Sequence, residues 1–223
     1  MAENNLGAPR GLEVRLKTAG GRSAASQRWL TRQLNDPFVR AAKAKGYRSR
    51  AAFKLEALDD KFGLIRPGAL VLDLGAAPGG WSQVARARGA AKVVGIDLLP
   101  VTPLEGAVFL VGDFTEPGQM AAMLAELGGA PDLVLSDMAP NTTGHAATDH
   151  LRIVALAELA MACALETLAP SGAFVTKLFQ GGAQRELLEP MKRHFTTVRH
   201  VKPPASRKES SELYVVAAGF RGS

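Results

Sequence analysis

A chain of 223 residues with 47% apolar content and a net charge of +6 is long enough for one sizeable domain with its own core. The single cysteine, Cys163, excludes a disulfide framework and any Cys/His metal spacing, which suits a reducing cytoplasm. No apolar stretch approaches the roughly 18 uncharged residues of a membrane-spanning helix, and the N-terminus lacks an apolar signal core. Its arginines would suit a mitochondrial transit peptide, but Glu3 and Glu13 weaken that reading. The charge is uneven. Residues 1–54 hold twelve Lys/Arg against Glu3, Glu13 and Asp36, with a smaller basic cluster at Arg185–Lys208. Such separation is the electrostatic footprint of a nucleic-acid partner, or else a solubilising basic tail.

Residues 1–22 read as a mobile basic arm and 23–223 as a single domain. Ser26–Leu34 has the pattern of a short amphipathic helix. Asp36-Pro37 is an N-cap followed by proline at the first helical position, and that helix should stop near Gly46. Ser49 is placed to cap a further helix through Leu58, which carries Lys54. After the Arg66-Pro67-Gly68 turn, strands and helices alternate. The strands are expected at Ala69–Leu74, Lys92–Asp97, Ala107–Val111, Asp132–Asp137 and Gly172–Phe179. The helices are expected at Gly80–Arg88, Met120–Leu127, Asp149–Leu168 and Ala183–Arg193. This spacing implies βαβ units and a parallel sheet with right-handed crossovers. Thr197–Lys202 and Glu212–Gly219 follow without an intervening helix, so an antiparallel pair is expected. No long heptad or exposed apolar helix demands a partner, and a monomer is expected.

Val71–Ser82 reads as an apolar strand ending in an acid, a glycine turn, and the first turn of a helix, which is how α/β proteins hold a nucleoside-like cofactor. The dinucleotide fingerprint G-x-G-x-x-G is absent; the pattern here is Gly75-x-x-x-Gly79-Gly80. A pyrophosphate over this turn would meet the carboxylate of Asp73, whereas a cofactor carrying a sulfonium and an ammonium would be attracted to it. Asp97 ends the next strand, where an acid grips ribose hydroxyls. Asp113 follows the third, suited to accepting a hydrogen bond from an adenine amine. The Asp97 position is shared by NAD and S-adenosylmethionine sites, and it is Asp73 that favours the cationic S-adenosylmethionine. Each acid alone could be a turn or capping acid, but three at the carboxyl ends of three consecutive strands point to a site. Trp81 could wall the cofactor or pack under the sheet.

Ser136-Asp137-Met138-Ala139-Pro140-Asn141 closes the fourth strand beside the topological switch point. Lys177 lies inside an apolar strand, which is costly unless the ammonium is paired or functional. Glu212 opens the last strand. Each also has a plainer reading, as a member of a buried ion pair or a strand-edge charge. Arg48 and Arg50 with Tyr47 and Phe53 could bind RNA by charge and stacking, Phe53 more readily belonging to the core. His145 and His150 lack a third ligand for a metal, and the loop that holds His145 is expected to gate the substrate side.

These residues resemble the FtsJ/RrmJ-type RNA 2′-O-methyltransferases, the RlmE family of bacterial large-subunit rRNA enzymes. The matching segments are Ser23–Leu30, Gly46–Leu55, Asp73–Gln83, Asp97–Pro100, Gly112–Phe114, Ser136–Asn141, Lys177–Gly181 and Ser206–Ala217, so the resemblance covers residues 22–219. It implies a Rossmann-like S-adenosylmethionine-dependent methyltransferase fold. The sheet would be seven-stranded and mostly parallel, with an antiparallel last strand and helices on both faces. It implies methylation of a uridine ribose in large-subunit rRNA, with rRNA or the large ribosomal subunit as partner. The family's Lys-Asp-Lys-Glu tetrad falls on Lys54, Asp137, Lys177 and Glu212, the last chosen over Glu209. The expected cofactor-binding set is Asp73, Gly75, Gly79, Trp81, Asp97, Asp113 and Asp137. In the tetrad Lys177 would deprotonate or steer the 2′-hydroxyl, Asp137 and Glu212 would orient it, and Lys54 would hold the ribose or a nearby phosphate. Two other readings compete: an RNA-binding ribosome-assembly module without turnover, and an NAD-dependent oxidoreductase, disfavoured by Asp73.

Overall fold

The computed structural model describes residues 24–140, 143–180 and 184–222. The N-terminal arm expected at 1–22 lies outside the described residues, as do Ser23, Asn141 and Gly181 of the matched segments and Ala183 of an expected helix.

Three helices precede the sheet: α1 (Ala24–Asn35), α2 (Pro37–Ala44) and α3 (Ala52–Phe62). Asp36 caps α2 as expected, its carboxylate accepting the Phe38 amide at 3.0 Å. Ser49 does not cap α3. The helix starts at Ala52 after a turn, and the Ser49 hydroxyl is buried without a partner. It fills the place where a Cβ on Gly80 would stand, 2.4 Å away, so the α3 entry packs directly on the start of the helix after the glycine turn.

The remaining order is β1 (Leu70–Leu74), α4 (Gly80–Ala87), β2 (Lys92–Asp97), β3 (Ala107–Val111), α5 (Gln119–Leu127), β4 (Leu133–Ser136), α6 (Ala146–Thr167), β5 (Ala173–Phe179), α7 (Gln184–His194), β6 (Phe195–Val201) and β7 (Glu212–Phe220). The seven strands lie in the order β3-β2-β1-β4-β5-β7-β6. Among the described strands only β7 runs antiparallel, inserted between β5 and β6. Strand order reverses between β1 and β4, so their carboxyl ends open onto the crevice where such sheets take ligands.

Alternation along each strand sends side chains to two separate cores. Leu72, Leu74, Val134, Phe174 and Leu178 meet α5, α6 and α7 on one face. Val71, Leu135, Val175, Tyr214 and Val216 meet α3 and α4 on the other. The same alternation puts Asp73, Lys177 and Glu212 on the α3/α4 face, the face that carries Lys54. α6 begins three residues before the expected Asp149, because that carboxylate works from the first turn. It accepts the Thr143 amide at 2.8 Å and hydroxyl at 2.7 Å, tying the preceding loop to the helix start, where a negative charge is favoured.

Candidate active site

The four tetrad residues meet at the carboxyl ends of β4 and β5. In the β5–β7 register Lys177 stands opposite Tyr214, and Phe179 opposite Glu212. Lys177 Nζ lies 2.6 Å from Asp137 Oδ1 and donates to the Asp137 carbonyl at 2.8 Å. Tyr214 donates to the same Oδ1 at 2.5 Å. From the other side Lys54 Nζ donates to the Tyr214 hydroxyl at 3.0 Å and lies 2.8 Å from Glu212 Oε1. Glu212, not the exposed Glu209, is therefore the acid of the group, and Ser206 fixes it with a hydroxyl donated to Oε1 at 2.8 Å. The result is a continuous chain, Glu212–Lys54–Tyr214–Asp137–Lys177. Burial opposes ionisation of Asp137. Lys177 and Lys54, with the hydrogen bonds from Lys177 and Tyr214, outweigh it and hold the carboxyl below the usual carboxylate range. Burial first, and then the neighbouring carboxylates, push the Tyr214 phenol far up, so it remains a donor.

Tyr214 and Ser206 were not singled out by sequence reasoning. For Tyr214 a signal existed: it follows Glu212 by two residues on a strand and so shares its face. Nothing local marks Ser206.

Beside this chain, Gly75 follows β1 with φ +77°, and a Cβ there would stand 2.4 Å from Met138 Cγ and 3.3 Å from its Cα. Gly79 (φ +99°) is closed upon by the Arg48 guanidinium in the same way. Both glycines are thus required by left-handed backbone and by close approach. Gly75→Ala should destabilise the protein by about 1–3 kcal/mol and weaken cofactor binding. Gly46→Ala is the control: its φ is +70° but nothing lies within 4 Å. Urea unfolding and calorimetry of both variants check this.

The expected cofactor acids differ in exposure. Asp73 is only 1% exposed. It lies beneath the loop on the α4 side rather than in the open cleft, and Ser82 donates to its Oδ2 at 2.6 Å. Burial, partly offset by Ser82 and reinforced by Asp137 and Asp97, pushes its carboxyl up to about 7. Asp97 holds the loops with both oxygens, accepting the Ala77 and Leu99 amides at 2.9 Å. An ionised carboxylate has about four acceptor positions, so capacity for hydroxyls remains. Asp113 folds onto Thr115, accepting its amide at 2.9 Å and hydroxyl at 2.7 Å, which holds its carboxyl low. Trp81 is 3% exposed, donates its indole N–H to the Ala51 carbonyl at 2.8 Å and packs on Tyr214. Its side chain takes the second of its two expected places, under the sheet. Leu98, Leu99 and Val111 are exposed beyond or at the ends of β2 and β3, apolar surface beside these acids that the sequence reading did not pick out.

The basic and aromatic residues proposed for RNA are largely engaged. Arg48 donates to the Pro78, Thr102 and Pro103 carbonyls, at 2.6 and 2.7 Å for the last two, clamping the glycine loop. Tyr47 donates to Glu56 at 2.5 Å and packs edge-on against Phe53. Among the described residues no group of three His/Cys/Asp/Glu is gathered as a metal would require, and no helix is long and apolar enough to cross a membrane.

A doubly wound sheet with polar chemistry gathered at its switch point beside a glycine loop defines an α/β protein with the architecture of a nucleoside-cofactor enzyme. Residues 47–220 match the FtsJ-like methyltransferase family, and the chain belongs to it. It is 68% identical over 213 residues to the ribosomal RNA large subunit methyltransferase E of Granulibacter bethesdensis, covering 96% of this chain and 93% of that protein. It is 62% identical over 221 residues to the protein of the same name from Acidiphilium cryptum, covering 99% and 98%. A solved ribosomal RNA methyltransferase from Plasmodium falciparum superposes with a TM-score of 0.71 at 29% identity, over 79% of this chain and 100% of that one.

Proposed function

We propose that the protein transfers a methyl group from S-adenosylmethionine to the ribose 2′-hydroxyl of a uridine in 23S-type large-subunit rRNA, acting in the cytoplasm on the ribosomal particle. The observation that carries this reading is the buried chain from Glu212 through Lys54, Tyr214 and Asp137 to Lys177. It fixes two ammonium groups at the switch point. The names of the relatives above support rRNA as the acceptor.

The cofactor's fit rests on the left-handed turns at Gly75 and Gly79, which shape the loop at the carboxyl end of β1, and on the carboxylates gathered there. When bound, S-adenosylmethionine supplies an electrophilic methyl group on a sulfonium. Gly75 and Gly79 would turn the loop around it, Asp97 would take its ribose hydroxyls and Asp113 its adenine amine. Asp73 and Asp137 would set the negative potential that favours a cation. The side chain of Trp81 supports this loop from beneath.

A ribose hydroxyl is a poor nucleophile at neutral pH and must lose its proton as the new bond forms. Two N–H donors of Lys177 go to Asp137, so Asp137 fixes where Nζ sits. The remaining position of Nζ faces the acceptor oxygen, as a lone pair in the neutral amine or as a third N–H in the ammonium, in which case the hydroxyl proton leaves to water. Lys177 steers a lone pair of that oxygen or takes its proton. Lys54, held by Glu212 and Tyr214, grips the ribose or a neighbouring phosphate. Placing the attacking oxygen in line accounts for much of the barrier reduction.

Transfer of tritium from labelled cofactor to large-subunit particles, free rRNA and small-subunit RNA tests the proposal. Label in a 2′-O-methylated nucleoside of large-subunit rRNA, greatest with particles, is expected. No transfer to particles or to free rRNA would leave the assembly-module reading in its place.

A further inference from the structure

The solvent side of α6 is apolar where a surface helix should be polar. Leu151, Ala155, Leu159 and Ala162 are all exposed, Leu151 at 65% and Leu159 at 44%. Their spacing of four, four and three sets them in one stripe along the helix. The other side of α6 is already covered: Ala157, Ala160, Cys163 and Ala164 are buried in the core. The helix is therefore apolar on both sides, against the expectation that no exposed apolar helix is present. Helices of that kind are normally covered.

The charge around the stripe selects what covers it. Residues 89–176, which run from just before β2 into β5, hold Lys92 and Arg152 against ten Asp/Glu, the reverse of the N-terminal quarter. Glu158 and Glu166 are exposed on α6 itself. Glu126 is exposed on the adjoining α5, whose Met120 sulfur lies 3.4 Å from that of Cys163. On the other flank, Lys192 of α7 is paired with Glu189. A phosphate backbone or an anionic lipid surface would meet carboxylates here. A second copy on a two-fold axis would set Glu158 and Glu166 against the same acids. The complement of an apolar stripe rimmed by carboxylates is a protein surface with lysine or arginine around apolar side chains.

We infer that the α6 stripe docks on a basic protein of the large ribosomal particle. This rests on the particle reading above. The stripe lies on the face of the sheet opposite α3 and Lys54, so such a partner leaves the approach to the tetrad open. It gives the particle a share of affinity that naked rRNA lacks.

The test is equilibrium binding of the full chain to purified large-subunit particles and, separately, to protein-free large-subunit rRNA, with sedimentation of the protein alone. Leu151→Lys combined with Leu159→Lys alters exposed side chains, and thermal unfolding checks that the variant folds. Its affinity for particles should fall about tenfold, as for the loss of a central interface contact. Its affinity for naked rRNA should hold or rise, because two cations have been added. If the face met RNA in the particle, the same variant would bind particles more tightly; if it met nothing, particle affinity would not change. Either result overturns the inference, as does a wild-type dimer that the substitutions dissociate. Glu158→Lys should weaken particle binding as well, and an unchanged or tighter value overturns the basic chemistry assigned to the partner. Should the double variant fail to fold, Leu151→Lys, at the more exposed position, decides by the same signs. Particles bound by the wild type without methyl transfer would count against the proposed function and leave the docking intact, whereas particles not bound at all would overturn both.

Discussion

Lys177→Met should lower kcat by about 10²–10⁴-fold, the usual contribution of a positioned proton-handling group, with cofactor affinity within twofold of wild type. The side chain is of similar length and keeps the β5 packing, so the loss is of the ammonium alone. Asp137 would keep the Tyr214 hydroxyl at 2.5 Å but lose the nearest of the cations that hold its carboxyl low. Lys177→Arg should not restore activity. A guanidinium nitrogen carries only two N–H groups, so one placed 2.6 Å from the carboxylate and 2.8 Å from the carbonyl of Asp137 has none left for the acceptor oxygen, and it has no lone pair to take a proton. Single-turnover kinetics over a pH range separate the two roles of Lys177, since removal of a proton acceptor changes the pH dependence and removal of a positioning group changes only the plateau. An arginine variant with near-wild-type turnover would sink both.

The second large effect is on stability and has the opposite direction. Asp73→Asn should stabilise the cofactor-free protein at pH 8 by on the order of 2–4 kcal/mol. The folded carboxyl titrates at about 7, whereas the unfolded one titrates in the ordinary carboxylate range. Between those values the folded chain binds the extra proton, so wild-type stability falls as pH rises from about 4 to about 7 and then levels. The asparagine carries no such cost and can still accept from Ser82. Its advantage should grow through that window and vanish near pH 4. Thermal or urea unfolding at several pH values without cofactor measures this, and a gain independent of pH would show that ionisation of Asp73 is not its source. Cofactor affinity should fall in the same variant, because the buried charge that costs stability is the one a cationic ligand repays.

The fold was legible where the chain changes periodicity sharply. β2 and β3 sit at the residues expected, each bounded by loop residues and, for β2, by a terminal acid. α6 was placed three residues late because Gly144 and His145 give no cap signal, and the carboxylate that organises the start lies inside the first turn. Lys177 stands out as a charge inside an apolar strand, but Lys54, Asp137 and Glu212 are joined to it as a tetrad only through the family resemblance. Tyr214 carries no charge and hides in a strand of aliphatic neighbours, so only the register across β5 reveals its place between the two lysines. Asp73 could have been placed more closely from β1 alone, since Val71 and Asp73 share a face and Val71 belongs to the α3/α4 core. Asp36 holds Arg50 and, across 171 residues of sequence, Arg207, and no local pattern announces a contact of that range.

The insertion of β7 between β5 and β6 has a consequence for biogenesis. A ribosome delivers the chain from its N-terminus, so Lys54, Asp137 and Lys177 emerge before Glu212 and Tyr214 do. Among the described strands β6 has no neighbour in the sheet except β7, so it cannot join the sheet until that segment slips in beside β5. That last step docks β6 and delivers the hydroxyl and carboxylate that hold Lys54. A nascent or prematurely ended chain therefore holds a glycine loop and two of its lysines but lacks the link between them, and competence arrives only with the last strand.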